Sequence, residues 1–208
     1  MRKAIVSGAN GFVGSAVVKE LISQGYEVYA LVRENHYDQV PINEMVRIVP
    51  FSLENIEALG EVIPINEYEA FYHFAWNGSA GVDRADTALQ LKNAQWTVEC
   101  LQMAKRLGCK RFVPAGSIME HETIAAVYTQ GNRPGAGYIY GSGKVAAHMM
   151  CMSMAVKEGI NLVWPKITNA YGPSERSPRL VNSTIRKCIA GEDPQFTAGT
   201  QNYDFVYI

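Results

Sequence analysis

The chain is poor in the features that mark metal proteins, membrane proteins and nucleic-acid binders. Its four cysteines, Cys100, Cys109, Cys151 and Cys188, form no CxxC pair and stand at no metal-like spacing from a histidine. That removes the usual sequence signature of a metal site and leaves reduced structural thiols, the pattern of a cytoplasmic protein. No uninterrupted apolar run approaches the ~20 residues a membrane-spanning helix needs. The first strand opens at Arg2, which leaves no room for a secretory leader. Charge is balanced at net -1, with both signs mixed and no block of either. Neither nucleic acid nor an anionic membrane surface is therefore expected as a partner. There is no internal repeat and no low-complexity linker.

What is present is a chain of 208 residues, 48% apolar, about one domain or slightly more. Short apolar runs alternate with longer periodic ones. "RKAIVSG", "EVYALVR", "VRIVPF", "AFYHFAW", "KRFVPAGS" and "INLVWPKI" read as strands. Between them, "GFVGSAVVKELISQGY", "LENIEALGEVI", "ADTALQLKNAQWTVECLQMAKRLG" and "YIYGSGKVAAHMMCMSMAVKEG" read as helices, three of them stopped by Gly25, Gly108 and Gly159. Strand–helix alternation predicts an α/β fold: a doubly wound, Rossmann-like parallel sheet with helices on both faces. The spacing assigns 1–168 to that domain. A smaller portion, 169–208, should hold a helix over "SPRLVNSTIRKCIAGED", with Ser177 as cap and Pro178 in its first turn, and a last strand at "YDFVYI". The stretch from Gly131 to Gly137 reads as a flexible insertion.

Three glycines, Gly8, Gly11 and Gly14, sit at the first strand-to-helix junction, in "SGANGFVGS". Such a junction points backbone N–H groups and the positive end of a helix dipole at an anion. One glycine allows the tight turn, one the approach of a diphosphate, and one the close packing of helix on strand. The competing reading is three glycines that serve only a tight turn. The second strand ends "ALVRENH", with Val32 where an acid would bind the adenosine ribose and Arg33 next to it. A guanidinium there suits a 2′-phosphate, which favours NADP over NAD; a solvated loop arginine is the alternative.

Tyr140 and Lys144 form YxxxK at the start of a predicted helix and share one helix face. An ammonium beside a phenol stabilises the phenolate and makes Tyr140 a general acid/base. Ser117 ends the fifth strand, and open α/β sheets hold their ligands at strand carboxyl ends.

Taken in order, "SGANGFVGS", "FYHFAW", "LKNAQWTVECLQMAKRLGCKRFV", "AGSIME", "YIYGSGK", "KITNAYGP" and "YDFVYI" make the chain resemble the NAD(P)-dependent nucleotide-sugar epimerase/dehydratase family, within the extended short-chain dehydrogenase/reductase superfamily. The resemblance implies hydride exchange between a sugar carbon and a bound nicotinamide. It implies a Ser117–Tyr140–Lys144 catalytic group. Cofactor contacts would come from Gly8, Asn10, Gly11, Phe12, Val13, Gly14, Arg33, Ser52, Leu53, Phe74, Ala75, Tyr140, Lys144 and Ile167, and substrate contacts from Trp76, Ser117 and Asn169. Asn93 would be structural. Methionines in the Lys144 helix would fit a homodimer interface.

The chain also departs from the family pattern. Ser52 stands where an Asp commonly contacts adenine, Gly116 precedes Ser117 in place of a second serine, and Tyr203 replaces an arginine before "DF". "SIM" stands where 4,6-dehydratases carry Thr-Asp-Glu, which argues against that elimination. Relatives usually continue past "DFVYI". Epimerase and NADPH-dependent 4-keto-sugar reductase remain the two reaction types, with a non-catalytic dinucleotide-binding redox sensor as a different class. His73 reads as a packed strand residue, and Glu120 and His121 as members of a solvated loop.

Overall fold

The computed structural model describes residues 1–175, 177–200 and 202–208. The chain forms two compact units, Met1–Lys166 and Ile167–Ile208.

In chain order the first unit contains β1 (Arg2–Ser7), α1 (Phe12–Ser23), β2 (Tyr26–Val32), β3 (Val46–Pro50), a 3₁₀ stretch (Leu53–Ala58), α2 (Leu59–Val62) and β4 (Ala70–His73). There follow a second 3₁₀ stretch (Val82–Ala85), α3 (Thr87–Arg106), β5 (Arg111–Pro114), β6 (Gly116–Ser117), α4 (Ile118–Tyr128), α5 (Tyr138–Glu158) and β7 (Asn161–Leu162); β8 (Lys166–Ile167) crosses the boundary. Six strands make one sheet in the order β3-β2-β1-β4-β5-β7, with every pairing parallel. This is the expected α/β architecture.

Period-2 alternation sorts the strand residues between two cores. Ala4, Val6, Val28, Ala30 and Val32 pack with Val18 and Leu21 of α1. Their neighbours Ile5, Tyr29, Leu31 and Phe71 turn to the other face, where they meet Phe112, residues of α3 such as Leu101 and Met103, and Cys151 and Ala155 of α5. Strands buried on both faces need apolar residues at nearly every position, which is why they read as continuous runs.

The helices stop where the chain supplies a left-handed glycine: Gly25 (φ 77°) beyond α1, Gly108 (φ 88°) beyond α3 and Gly159 (φ 64°) at the end of α5. The Asp86 carboxylate caps α3 by accepting from the Leu89 N–H at 3.0 Å, and Lys105 and Arg106 sit in its last turn, where cations oppose the dipole.

Three local expectations are corrected. "LENIEALGEVI" is not one helix, because Asn55 (φ −139°, ψ 59°) breaks the 3₁₀ stretch ahead of the short α2. The segment after Ser117 is no solvated loop. It is α4, started by a capping box in which the Ser117 side chain and Glu120 each bond the other's backbone end. His121 is exposed, but Glu120 is buried. In the second unit, α6 (Leu180–Ile189) has Arg179, not Ser177, at its N-cap position, and Arg179 makes no side-chain cap bond. The Ser177 N–H is taken by the Glu175 carboxylate at 2.7 Å, which closes a turn ahead of the helix. That unit also pairs β9 (Asn169–Tyr171) in parallel with β10 (Phe205–Tyr207), and the Asn182 amide ties α6 to the Gly172 and Glu175 carbonyls.

Gly14 is buried where α1 lies against the turn after β1, and an added Cβ would stand 2.8 Å from the Gly8 carbonyl carbon. Alanine in place of a helical glycine normally gains up to about 1 kcal/mol. Here Gly14→Ala should instead cost about 2 kcal/mol or more, because two backbones must separate. Gly60→Ala, whose Cβ would meet nothing nearer than the Met103 methyl at 4.0 Å, should be neutral or stabilising. Urea denaturation of the two variants checks the contrast.

Candidate active site

In the sheet order, β1 lies between β2 and β4, so the strand connections diverge at β1 and open a crevice at the carboxyl ends of β1 and β4. Both ends are fastened there. The Ser7 hydroxyl meets His73 Nδ1 at 2.8 Å, and Phe74 N–H donates to the Ser7 carbonyl at 3.0 Å. His73 is fully buried and stacks on Phe112. Burial, and secondly the charge of Lys144, hold its pKa down at about 3, so it is a neutral fastening residue.

The glycine turn presses against this seam. Gly8 adopts φ 67°, and a Cβ on it would lie 2.8 Å from both the Phe74 carbonyl carbon and the Ala75 nitrogen. Gly11 is the N-cap of α1, which has no side-chain cap and no acidic residue in its first turn. Among the described residues, no side chain caps the first-turn N–H groups of Phe12, Val13 and Gly14. This cradle fits the diphosphate of a dinucleotide by the chemistry of its donors.

Asn10 donates from its side chain to the His36 carbonyl at 2.8 Å, which ties the turn to the segment after β2. A cavity of about 440 Å³ opens beside that segment, lined by Arg33, Glu34, His36, Phe51, Ser52 and Asn55 among others. Arg33 is exposed. The Ser52 hydroxyl accepts from Glu54 N–H at 3.2 Å, and Leu53 is buried in the core.

Beyond β4 the chain is held by α3. Asn93 donates to the Asn77 carbonyl at 2.8 Å and accepts from the Asn77 N–H at 2.9 Å. The Trp76 indole N–H donates to Gln90 at 2.8 Å, and the Gln90 amide grips the Gly78 and Asp83 carbonyls.

This holds Trp76 against α5. Lys144 Nζ stands 3.4 Å from the centre of the Trp76 ring and 5.7 Å from that of Tyr140. It also donates to the Ala115 carbonyl at 2.9 Å, two residues before Ser117. The Tyr140 ring meets Trp76 edge-on at 5.9 Å and lies under the Arg84 guanidinium at 4.2 Å. Ser117 caps α4, accepting from Met119 N–H at 3.2 Å. Lys144 is only 4% exposed. Burial pulls its pKa down to about 7, and the Glu120 carboxylate opposes that fall.

The structure thus joins Tyr140, Lys144, Trp76 and the segment bearing Ser117 around the loop after β4, against whose first residues the glycine turn packs. Ile167 and Asn169 belong to the second unit, where Asn169 bonds through backbone and side chain to the Asp204 carbonyl. Sequence reasoning missed Gln90, Arg84, His148 and Trp164, and placed Glu120 in a loop. Only Glu120 left a readable signal, the Ser-x-x-Glu spacing of a capping box.

Among the described residues no group of three or more His, Cys, Asp or Glu could hold a metal ion, and no helix is long and apolar enough to cross a membrane.

An all-parallel sheet with a glycine-rich turn at its divergence point and a tyrosine–lysine pair beside the loop after β4 defines the class, a Rossmann-like α/β protein. Residues 4–208 match the model of the NAD dependent epimerase/dehydratase family, and the chain belongs to that family. It is 26% identical over 218 residues to UDP-glucuronic acid decarboxylase 1 of Xenopus tropicalis, covering 100% of this chain and 51% of that protein. It is 26% identical over 213 residues to the dTDP-6-deoxy-L-talose 4-dehydrogenase (NAD(+)) of Aggregatibacter actinomycetemcomitans, covering 98% of this chain and 75% of the relative. Among solved structures, UDP-N-acetylglucosamine 4-epimerase from Methanobrevibacter ruminantium M1 superposes with a TM-score of 0.79 at 20% identity, over 99% of this chain and 69% of the other. The chain spans about half the length of the decarboxylase.

Lys144 has an ordinary pKa of 10.5 that folding lowers to about 7. Between those values the unfolded chain holds more protons than the folded one, so the lysine's contribution to stability rises with pH. Lys144→Met should therefore show its most favourable stability relative to wild type below pH 7, with that advantage shrinking as the pH rises towards 10. The pH-dependent part is about 5 kcal/mol at its upper limit. Thermal melts across pH 6 to 10 read it, and a pH-independent difference would contradict the burial argument.

Proposed function

We propose that this chain carries the dinucleotide site and catalytic group of an NAD(P)-dependent enzyme that acts on a nucleotide-diphosphate sugar, as an epimerase or as a 4-keto-sugar reductase. The observation that supports it most is Lys144, buried between the Ala115 carbonyl and the Trp76 ring and beside Tyr140. A bound nicotinamide would supply hydride exchange with a sugar carbon. The first-turn amides of α1 hold the diphosphate, and Lys144 holds ribose hydroxyls. Tyr140 passes a proton to or from the sugar oxygen at its phenolic oxygen. The charge of Lys144 favours the phenolate form, and so does that of Arg84 across the ring. Ser117 accepts a backbone hydrogen bond as helix cap and is left with its own O–H to donate to the sugar oxygen. Trp76 offers an apolar wall, and the family resemblance is what assigns Asn169 to the substrate.

Arg33, exposed at the 440 Å³ cavity, with Val32 in place of an acid, favours NADP over NAD. The family includes dehydratases; 4,6-elimination stands outside this reading because Ile118 and Met119 follow Ser117 where an acid and a base would be needed. On α5, Met149, Met150 and Met152 are 60%, 49% and 50% exposed, a face suited to a second copy of the chain in a homodimer. The compartment we propose is the cytoplasm.

Incubation of the purified chain with NADPH and a 4-keto nucleotide sugar, followed by nicotinamide absorbance, separates the readings. Stoichiometric NADPH loss marks a reductase; no loss there, with interconversion of a 4-hydroxy nucleotide sugar in the presence of oxidised cofactor, marks an epimerase. Tyr140→Phe should lower either rate at least ~100-fold. Unchanged turnover in that variant would overturn the mechanism, and dinucleotide binding without turnover would favour a redox sensor. Arg33→Ala should weaken NADPH binding about tenfold, as loss of a charge-assisted contact implies, and leave NADH binding within a factor of about two.

A further inference from the structure

The most deeply buried carboxylate beside the catalytic group is Glu120, at 1% exposure. It bonds three separate parts of the first unit. Its Oε1 accepts from Ser117 N–H at 2.8 Å and from the Trp164 indole N–H at 3.0 Å, while Oε2 meets His148 Nδ1 at 2.8 Å. His148 and Trp164 stack on each other, with centroids 4.3 Å apart and planes within 1°. His148 lies four residues after Lys144, on the same face of α5.

These contacts converge on one short segment. Lys144 holds it by the Ala115 carbonyl and Glu120 holds it by the Ser117 N–H. The backbone that presents the Ser117 hydroxyl is clamped between two buried side chains, the amine of Lys144 and the carboxyl group of Glu120. Three other titratable or charged groups are near. His73, across from Lys144 on β4, is neutral and cannot serve as its counter-ion. Tyr140 on α5 faces Lys144 through its ring. Arg84, from the 3₁₀ stretch, adds a second positive charge over that ring. Of the charged and titratable groups named around Lys144, Glu120 alone is an acid whose charge opposes the discharge that burial favours.

We propose that Glu120 is a positioning residue of this site: it fixes the Ser117 turn and acts as the counter-ion that keeps the Lys144 ammonium charged, thereby acting on Tyr140 through Lys144. The inference rests on the proposed function for its catalytic meaning, but its electrostatic content does not. Without that carboxylate a dry lysine sheds its proton, and Tyr140 loses its nearest cation on α5.

The test is a pH titration of the Lys144 side-chain ¹³Cε resonance in lysine-labelled protein without cofactor or substrate, assigned by its disappearance in Lys144→Met. In the wild type the midpoint should lie at or above pH 7. A midpoint below pH 6 would overturn the proposal without recourse to any variant. Glu120→Gln should lower the midpoint by about one unit or more, and an unchanged midpoint in that variant would overturn it. His148→Gln removes a hydrogen-bond partner but leaves the carboxylate, so the midpoint should stay within about half a unit. A fall there equal to that of Glu120→Gln would mean loosened packing and would also overturn it. Turnover is measured separately on the same samples. A displaced midpoint in an inactive chain would leave the counter-ion standing and sink the enzyme reading, whereas active protein with an unmoved midpoint would do the reverse.

Discussion

At the divergence point of the sheet, two backbones touch with no room for a side chain between them. Gly8 meets Phe74 and Ala75 at the distance a Cβ would occupy, and Ser7 bonds His73 directly beneath. That contact couples the phosphate-type cradle to the strand that leads, three residues on, to Trp76. From Trp76 the chain of contacts runs to Lys144 and Tyr140, and from Lys144 to the Ala115–Ser117 segment. Without the close approach at Gly8, the cradle and the tyrosine–lysine pair would belong to separate surfaces. Gly14 serves the same end from the helix side, letting α1 settle on the turn.

The second constraint is electrostatic. A lysine taken out of water is costly unless paired and hydrogen-bonded. Here the ammonium receives one carbonyl, one aromatic face and the field of one carboxylate. Each partner comes from a different part of the first unit: the end of β5, the loop after β4, and α4. The arrangement is a place where stability is given up for a charged group in a dry pocket, as sites with perturbed titration commonly show. The hydrogen bonds of Gln90 and Asn93 do the opposite work, since they satisfy buried polar groups while fixing the loop after β4.

The sheet was legible because its strands are buried on both faces and its helices end at glycines, both local properties. The cradle and the YxxxK pair were legible for a related reason: each is a short motif whose chemistry needs fixed spacing. α4 was not legible. Its buried positions are Glu120, Thr123 and Ala126, while Ile124, Val127 and Tyr128 are exposed, so no apolar stripe marks it. Glu120 is buried by His148 and Trp164, partners 28 and 44 residues away, and local pattern carries no trace of them. Arg84 over Tyr140 is hidden in the same way. At Ser177 the expected cap does not form, because the helix starts at Leu180 and the N-cap position falls on Arg179.

The central claim is that the glycine turn and the tyrosine–lysine pair serve one bound dinucleotide. A crystal structure of the chain with NADPH tests it most directly. The account predicts a diphosphate on the N–H groups of Phe12, Val13 and Gly14, with the nicotinamide end within reach of Tyr140 and Lys144. A dinucleotide bound away from α1, or one whose nicotinamide points away from Tyr140, would contradict it.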